Sequence, residues 1–281
     1  MASNMFFTPT YHSKPYPDLD PLRQVGDIKG KTVVITGGGS GIGKAIALAF
    51  SKANAANIVV VGRTKETLDA TKQEIEGAST TRVKAIVADV TNATEIQRAF
   101  SSLVTEIGPL HVLVNNAGYL AEPAPAASAP IQDWWKAFEI NCKGALLVTQ
   151  SFLSVSSDEA VLINVTTAGV YLPPTHELSA YSASKLAFLR VLEFVQLEYP
   201  GLRVVNVHPG FIQTDMNLKS GIKGVPFDDI ELTSHFVVWC SGSAAAFLNG
   251  RFVWANWDIN ELKNMERSIV DEKKLTFGLL S

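Results

Sequence analysis

Short apolar runs alternate with longer segments of helical periodicity between residues 32 and 240. The apolar runs predict β-strands at Thr32–Thr36, Ile58–Val61, Val83–Ala88, His111–Asn115, Ala160–Val165 and Arg203–Val207. The remaining segments predict helices at Ala45–Ala53, Glu66–Ile75, Thr94–Ile107, Trp134–Phe152, Ala180–Tyr199 and Asp229–Cys240. Because strands that are apolar throughout are buried on both faces, the alternation predicts a doubly wound α/β fold with helices on both faces of a parallel sheet.

The two ends of the chain differ from this pattern. Residues 1–29 contain Pro9, Pro15, Pro17 and Pro21, which predict an irregular arm that is neither strand nor helix. No linker divides residues 30–255, so they are predicted to form one α/β domain. Residues 256–281 predict a polar, helical C-terminal tail.

Composition narrows the class of protein. Among 281 residues, 24 basic side chains stand against 27 acidic ones. The resulting net charge of -3 disfavours nucleic acid as a partner, because phosphate binding requires an excess of Lys and Arg. No apolar run is long enough for a bilayer and no secretion signal is evident, so no membrane contact and a cytoplasmic location are predicted. The two cysteines, Cys142 and Cys240, fit a reducing compartment.

A glycine-rich turn links the first predicted strand to the first predicted helix. Glycine permits a sharp turn and lets backbone N–H groups approach a pyrophosphate, which the positive end of the helix also attracts. The run from Gly38 to Lys44 also matches the start of a triphosphate-binding loop, but Ala45 has no hydroxyl for Mg²⁺, which disfavours that alternative. The predicted dinucleotide-binding positions are Gly37, Ser40, Gly41, Ile42 and Gly43.

The end of the second predicted strand indicates which dinucleotide binds. An acidic residue there would hold the ribose 2′-hydroxyl of NAD, but the chain has Gly62 followed by Arg63 and Thr64. An arginine can bind a 2′-phosphate through two hydrogen bonds. NADP(H) is therefore predicted, with Arg63 and Thr64 in its site, and NAD(H) is the disfavoured alternative. A solvated surface charge at Arg63 is the competing interpretation.

Tyr181 is the only tyrosine with a lysine four residues later, and this spacing places Tyr181 and Lys185 on one face of a helix. A free phenol has a pKa near ~10, and an adjacent ammonium, aided by a positively charged nicotinamide, lowers that pKa. Tyr181 is the predicted acid/base that exchanges a proton with a substrate oxygen while hydride moves at carbon.

Four motifs, in this order, resemble those of the short-chain dehydrogenase/reductase family. They are Thr36-Gly37-x-x-x-Gly41-x-Gly43, Asn115-Asn116-Ala117-Gly118, Tyr181-x-x-x-Lys185 and Pro209-Gly210-x-x-x-Thr214. The resemblance covers roughly Gly30 to Val253 and implies a single-domain Rossmann fold with about seven strands. The N-terminal arm and the pair Trp254 and Trp257 resemble fungal reductases that tailor secondary metabolites.

The resemblance also implies roles for residues outside the Tyr–Lys pair. Asn141 would hold a water that links Lys185 to solvent as a proton relay. The implied cofactor contacts are Asp89 and Val90 at the adenine, Asn115, Asn116, Ala117 and Gly118 at the ribose, and Pro209, Gly210, Ile212 and Thr214 at the nicotinamide. No metal site is predicted.

One position departs from the family pattern. A serine usually follows the fifth strand and donates a hydrogen bond to the substrate carbonyl, but this chain has Thr166 and Thr167 there. Continuing the strand register selects Thr167, whereas aligning on Ala168-Gly169 selects Thr166. Thr167 is the predicted catalytic residue, because threonine keeps the hydroxyl donor while its methyl group narrows the pocket.

The substrate is expected to bind among apolar segments that carry few charges. These segments are residues 119–130, 171–174 and the substrate region 215–249. They predict a medium-sized, largely hydrophobic carbonyl or alcohol compound. The Tyr181 helix also carries more apolar positions than one sheet face needs, and in the family it commonly pairs across a dimer axis, so a homodimer or homotetramer is predicted.

Three functions compete on these residues. The favoured one is an NADP(H)-dependent oxidoreductase that interconverts a ketone and a secondary alcohol, with Asn141, Tyr181 and Lys185 intact. The second function is a non-redox reaction on the same fold, namely isomerisation, dehydration or cyclisation. The threonine in place of the usual serine is compatible with such a reaction. A third is a dinucleotide-binding sensor without turnover, which would be expected to have lost Tyr181 or Lys185.

Overall fold

The protein is described by a computed structural model over residues 6–278. Its strands are β1 (Thr32–Thr36), β2 (Asn57–Gly62), β3 (Arg82–Val87), β4 (Leu110–Asn115), β5 (Ser156–Val165), β6 (Arg203–His208) and β7 (Arg251–Trp254). They form one sheet in the order β3-β2-β1-β4-β5-β6-β7, and every neighbouring pair is parallel. The predicted doubly wound Rossmann fold is confirmed.

Eleven α-helices lie among the described residues. They are α1 (Val25–Ile28), α2 (Gly41–Lys52), α3 (Lys65–Ala78), α4 (Ala93–Ile107), α5 (Ile131–Phe138), α6 (Ala145–Leu153), α7 (Ser179–Glu198), α8 (Asp215–Lys219), α9 (Ile230–Ser241), α10 (Ile259–Asn264) and α11 (Glu266–Asp271). No helix among residues 6–278 is long and apolar enough to cross a membrane.

Alternation along each strand divides the core into two layers. Val33 and Ile35 of β1 point to the layer that contains α2, α3 and α9, whereas Val34 points to the layer of α4, α6 and α7. The strand order reverses between β1 and β4, the first and fourth strands of the chain. In open α/β sheets this switch point leaves a crevice at the carboxyl ends of the strands, where ligands bind.

The predicted helix Trp134–Phe152 differs from the structure in one respect. Residues 131–153 are helical throughout, but Glu139–Gly144 forms a π-helical turn between α5 and α6. Apolar periodicity does not reveal such a turn, because one wide turn barely shifts the buried face. π-turns are frequent at functional sites, and Asn141 lies in the middle of this one.

The prediction that the N-terminal arm has no helix is wrong. The arm contains two 3-10 turns, Pro17–Leu19 and Pro21–Gln24, followed by the four-residue helix α1. Each 3-10 turn begins with a proline, whose fixed φ and missing N–H suit a first helical position. Leu19 and Ile28 are fully buried, so the arm contributes to the core.

The arm also pairs with the segment that follows β7. Tyr11 and Trp257 form an antiparallel bridge, and Asn256 Nδ2 donates a hydrogen bond of 2.9 Å to the carbonyl oxygen of His12. His12 Nε2 lies 2.9 Å from Asp258 Oδ2. Of the tail predicted over residues 256–281, α10 and α11 are helical, and residues 279–281 lie outside the described residues.

Candidate active site

A groove opens at the carboxyl ends of the central strands. It is lined by segments that follow β1, β2, β3 and β4, and by Ile140 of the π-turn. The predicted cofactor residues among its lining are Gly37, Ser40, Arg63, Thr64, Asp89, Val90, Ala117 and Gly118. The structure therefore brings together residues that are up to 81 positions apart in the sequence, counted from Gly37 to Gly118.

The glycine-rich turn has the geometry that a pyrophosphate requires. Gly37 has a φ of +68°, and a Cβ at Gly43 would lie 2.2 Å from the carbonyl oxygen of Gly37, so α2 packs on the turn only with glycine there. α2 begins at Gly41, and the Ser40 side chain makes no capping hydrogen bond. The positive end of α2 thus faces the groove without a side-chain cap, which fits a bound dinucleotide.

Asn115 and Asn116 lie beside the groove but serve the protein framework. The Asn115 side chain is buried and donates a 2.9 Å hydrogen bond to Thr149 Oγ1 of α6. Asn116 Nδ2 donates a 2.9 Å hydrogen bond to the carbonyl oxygen of Thr36. Both side chains therefore hold the end of β4 in place rather than point into the groove.

Arg63 and Asp89 set the charge at one end of the groove. Arg63 is exposed at the end of β2, where no carboxylate occupies the position that would hold a ribose 2′-hydroxyl. Partial burial acts to raise the pKa of Asp89, but hydrogen bonds from Thr91 and the nearby charge of Arg63 hold this pKa below its usual range. Asp89 is therefore a carboxylate, and Arg63 provides a cation beside it.

Tyr181 and Lys185 lie on one face of α7, as their spacing predicts. The Lys185 ammonium is 6.0 Å from the centre of the Tyr181 ring and donates a 2.9 Å hydrogen bond to the carbonyl oxygen of Val165. Burial lowers the pKa of Lys185 to about 8 and raises that of Tyr181 to about 12. The sequence predicts that Lys185 lowers the Tyr181 pKa, but in this structure burial raises that pKa instead.

Asn141 connects the π-turn to the loop after β4. Its Oδ1 accepts a 2.7 Å hydrogen bond from the Tyr119 N–H, while Nδ2 donates to the Tyr119 carbonyl oxygen at 2.8 Å and to Ser184 Oγ at 2.9 Å. A Cβ at Gly118 would lie 3.4 Å from Asn141 Oδ1 and 3.5 Å from Lys185 Nζ. Asn141 and Lys185 therefore both lie close to Gly118.

The two threonines after β5 have different environments. Thr166 is 2% exposed, and its buried hydroxyl oxygen has no hydrogen-bond partner among residues 6–278. Thr167 is partly exposed, and its Oγ1 accepts a 3.2 Å hydrogen bond from the Gly169 N–H. This bond occupies an acceptor position of the Thr167 hydroxyl and leaves its proton free to be donated.

The segment from Pro209 to Thr214 folds back towards the glycine-rich turn. Gly210 has a φ of +84°, and a Cβ there would lie 2.6 Å from Asp228 Oδ2, which accepts a 2.8 Å hydrogen bond from the Phe211 N–H. Ile212 is buried, and Thr214 caps α8. The Thr214 methyl group is 3.5 Å from the position of a Cβ at Gly41, so this segment reaches the start of α2.

A second, narrow cavity reaches Tyr181. Its apolar walls include Leu120, Trp134 and Leu178, with Glu122, Asp133 and Glu177 at the rim. Within the predicted substrate region 215–249, Phe236 and Trp239 are core residues, because α9 is buried against α2. Leu218 and Phe227 of the same region are exposed.

Sequence reasoning missed three residues of this region, namely Ser184, His208 and Lys219. Ser184 directly precedes Lys185, and its position one residue from the Tyr–Lys pair was an available signal. His208 directly precedes Pro209, and its Nδ1 accepts a 3.2 Å hydrogen bond from the Ala168 N–H. Lys219 bonds to the carbonyl oxygen of Leu120, a contact between distant segments that no local pattern signals.

Comparison with known proteins gives consistent matches. The sequence profile of the short chain dehydrogenase family matches residues 31–223. A short chain dehydrogenase/reductase of the fungus Claviceps purpurea (strain 20.1) is 35% identical over 282 residues, covering 97% of this chain and 94% of the relative. The short chain dehydrogenase pigC of Monascus ruber is 33% identical over 284 residues, covering 95% of this chain and 92% of the relative.

Among solved structures, a blue fluorescent protein from a metagenomic library, in complex with NADPH, has a similar fold. The TM-score is 0.73 at 25% sequence identity, and the superposition covers 81% of this chain and 97% of the other.

Proposed function

The chain belongs to the short-chain dehydrogenase/reductase family, and from that premise we propose that it is an NADP(H)-dependent oxidoreductase. The reaction is the interconversion of a ketone and a secondary alcohol on a largely hydrophobic small molecule. The observation that carries the proposal is the juxtaposition of Tyr181, Lys185 and Asn141 beside the Gly118 backbone, next to the groove. The resemblance to the family and to its fungal members is confirmed by the two relatives.

Tyr181 is the proton donor when a ketone is reduced. Because burial raises its pKa to about 12, the phenol is protonated at neutral pH and can donate to the substrate oxygen. The bound dinucleotide supplies the hydride in this direction and accepts it in the other. Lys185, charged below pH 8, stabilises the phenolate that remains and positions the nicotinamide ribose.

Asn141 completes the route by which Tyr181 regains its proton. Both N–H groups of its side chain are already used, by Tyr119 and Ser184. The remaining acceptor capacity of its Oδ1 and the backbone of the π-turn are the groups that hold a water beside Lys185. The proton then passes from solvent through this water and Lys185 to Tyr181.

Thr167 takes the role of the usual serine. Its hydroxyl proton is free because Oγ1 accepts from Gly169, whereas the Thr166 hydroxyl is buried. A donor at this position polarises the substrate carbonyl as negative charge develops on oxygen. Thr167 thus supplies the hydrogen bond, and Tyr181 supplies the proton.

The cofactor preference follows from the end of β2. Arg63 lies where the 2′-phosphate of NADP(H) would be held, with Thr64 beside it, and a carboxylate that would repel this phosphate is lacking at that position. The substrate enters the apolar cleft between residues 119–130 and α8. We place the protein in the cytoplasm as a homodimer or homotetramer, acting in fungal secondary metabolism.

The experiment that tests the proposal is a screen of carbonyl compounds with NADPH oxidation as the readout. Wild-type protein is compared with Tyr181→Phe and with the control Tyr199→Phe, an exposed tyrosine just beyond α7. Turnover by the wild type and by Tyr199→Phe, with a loss of at least about a hundredfold in Tyr181→Phe, supports the proposal. Equal rates in all three proteins would contradict it.

A further inference from the structure

His208 contacts the turn that carries Thr167 from the neighbouring strand. It is the last residue of β6, and its Nδ1 accepts a 3.2 Å hydrogen bond from the backbone N–H of Ala168. Ala168 is 4% exposed, so water has little access to this N–H. A buried N–H without an acceptor is costly, and His208 therefore fixes where the Ala168 N–H points.

This hydrogen bond acts on Thr167 through the backbone. The Ala168 nitrogen and the Thr167 carbonyl belong to one planar peptide unit, so holding that N–H sets the ψ angle of Thr167. The other bonds of the turn begin one residue later, with Gly169 N–H to Thr167 Oγ1 at 3.2 Å and Val170 N–H to the Thr167 carbonyl oxygen at 3.3 Å. Val170 thus holds the carbonyl side of the Thr167–Ala168 peptide unit, and His208 holds its N–H side.

The His208 imidazole is neutral and has an unprotonated Nδ1, as the hydrogen bond from the Ala168 N–H requires. Because Nδ1 accepts a hydrogen bond, the proton of the neutral ring is on Nε2. Burial lowers the pKa of His208 to about 3, so the ring stays neutral at physiological pH. The Trp254 ring packs edge-on against it at 4.4 Å and is itself fixed by a 2.7 Å hydrogen bond from Nε1 to Tyr171 Oη.

We propose that His208 is a positioning residue, which holds the Thr167–Ala168 peptide so that the Thr167 hydroxyl faces the substrate oxygen. The inference rests on the proposed function, because it deepens the role given there to Thr167. His208 itself exchanges no proton with the substrate, since its Nδ1 is committed to Ala168. Its removal leaves the Thr167 hydroxyl present but misplaced.

A double-mutant cycle tests this coupling. His208→Ala is expected to lower kcat by at least about tenfold with little change in KM, because small misplacements of a reacting group are costly in rate. In a Thr167→Val background the same change should cost less than about twofold, since the hydroxyl that His208 positions is already gone. His208→Asn, whose Oδ1 can replace Nδ1 as acceptor, should keep kcat within about threefold.

The matched control is His111→Ala. His111 Nδ1 accepts a 3.1 Å hydrogen bond from the Thr32 N–H at the opposite end of the sheet, so this variant loses the same kind of bond far from the site. It should lower the melting temperature without lowering kcat. A loss of kcat in His208→Ala that is equally large in both backgrounds, or a loss shared by His111→Ala, overturns the positioning role.

Nitrogen NMR of the imidazole provides a readout that does not depend on turnover. The wild type should show an unprotonated Nδ1 and a protonated Nε2 down to about pH 5. A protonated Nδ1 overturns the positioning role even in an active enzyme. An inactive wild type with the expected tautomer shows instead that the proposed function has failed, and the positioning role then falls with it.

Discussion

Lys219, the last residue of α8, donates a 2.9 Å hydrogen bond to the carbonyl oxygen of Leu120 on the opposite wall of the cleft. The same ammonium pairs with Glu122 at 2.8 Å and lies 5.2 Å from the centre of the Tyr119 ring. α8 has no buried residue among its five, and Gly221 and Gly224 follow it with positive φ. Lys219 is therefore a main attachment of α8 to the wall that lines the cavity at Tyr181.

Removing this attachment should weaken substrate binding. We expect Lys219→Met to raise KM by about fivefold, since an exposed ion pair and one hydrogen bond together contribute about 1 kcal/mol. The melting temperature should change little, because α8 buries no side chain. Steady-state kinetics check this, with Lys263→Met as control, because Lys263 is exposed on α10 outside the substrate region. An unchanged KM in Lys219→Met would show that the bridge does not shape the cleft.

The preference for NADPH should depend on Arg63. We expect Arg63→Ala to weaken NADPH binding by about ten- to a hundredfold, the range for a lost hydrogen bond to a charged group, and to leave NADH binding nearly unchanged. Fluorescence titration of both dinucleotides measures this. The exposed Arg98→Ala on α4 should bind both as the wild type does. A parallel loss of both affinities would place Arg63 outside the 2′-phosphate site.

Substitution to valine should distinguish the roles of Thr166 and Thr167. Thr167→Val removes the proposed donor, and we expect kcat to fall by about a hundredfold while NADPH still binds. Thr166→Val replaces a buried hydroxyl that has no partner, so we expect unchanged turnover and about 1 kcal/mol of added stability. Kinetics and urea unfolding check the pair. The reverse pattern would assign the substrate contact to Thr166.

We expect the buried charge of Lys185 to lower the free energy of unfolding, although catalysis requires this residue. Its pKa falls from 10.5 to about 8 on folding, so below pH 8 the folded state bears a desolvation cost of about 3 kcal/mol. A substitution of Lys185 removes this desolvation cost, but it also removes the hydrogen bond to the Val165 carbonyl, which offsets about 1 kcal/mol of the gain. We expect Lys185→Met to be inactive and about 2 kcal/mol more stable at pH 7.

The pH dependence of the free energy of unfolding tests the same desolvation of Lys185. Between pH 8 and 10.5 the unfolded chain binds more protons at this lysine, so wild-type stability should rise with pH relative to Lys185→Met. Urea unfolding at pH 7 and pH 10 measures both proteins, with the exposed Lys263→Met as control. A less stable Lys185→Met at pH 7 would contradict the desolvation argument.

The oligomer should depend on the outer face of α7. Leu186, Phe194 and Leu197 are exposed there, at 39%, 52% and 80%. We expect light scattering at micromolar concentration to give at least twice the 30.3 kDa chain mass, and Phe194→Glu to give the monomer, because a charge opposes burial of that face. Val270→Glu on α11 should leave the mass unchanged. A monomeric wild type would refute the pairing.

The sequence predicts the sheet well because its signals are local and redundant. Val33, Val34 and Ile35 are all apolar, which marks β1 as a strand buried on both faces, and the glycine-rich turn after it marks the switch point. The prediction for the arm is wrong because proline disfavours long helices but favours the first positions of short ones, as Pro17 and Pro21 show.

The candidate site is only partly visible in the sequence. Tyr181 and Lys185 share a helix, so their spacing alone predicts a common face. The environments of Thr166 and Thr167 are set by how the chain leaves β5, which a motif alignment does not encode. Lys219 and Leu120 are 99 residues apart, and their contact depends on tertiary packing.

The pairing between the N-terminal arm and the segment after β7 determines when the protein can complete its fold during synthesis. His12 and Asp258, which pair the arm with this segment, are 246 residues apart, so a ribosome that has made the arm must make all seven strands before Asp258 emerges. Until then the apolar faces of Leu19 and Ile28 have no complete surface to dock on. A nascent chain therefore completes this layer of its core only when synthesis has passed β7, and translational arrest before that point exposes the arm to chaperones and proteases.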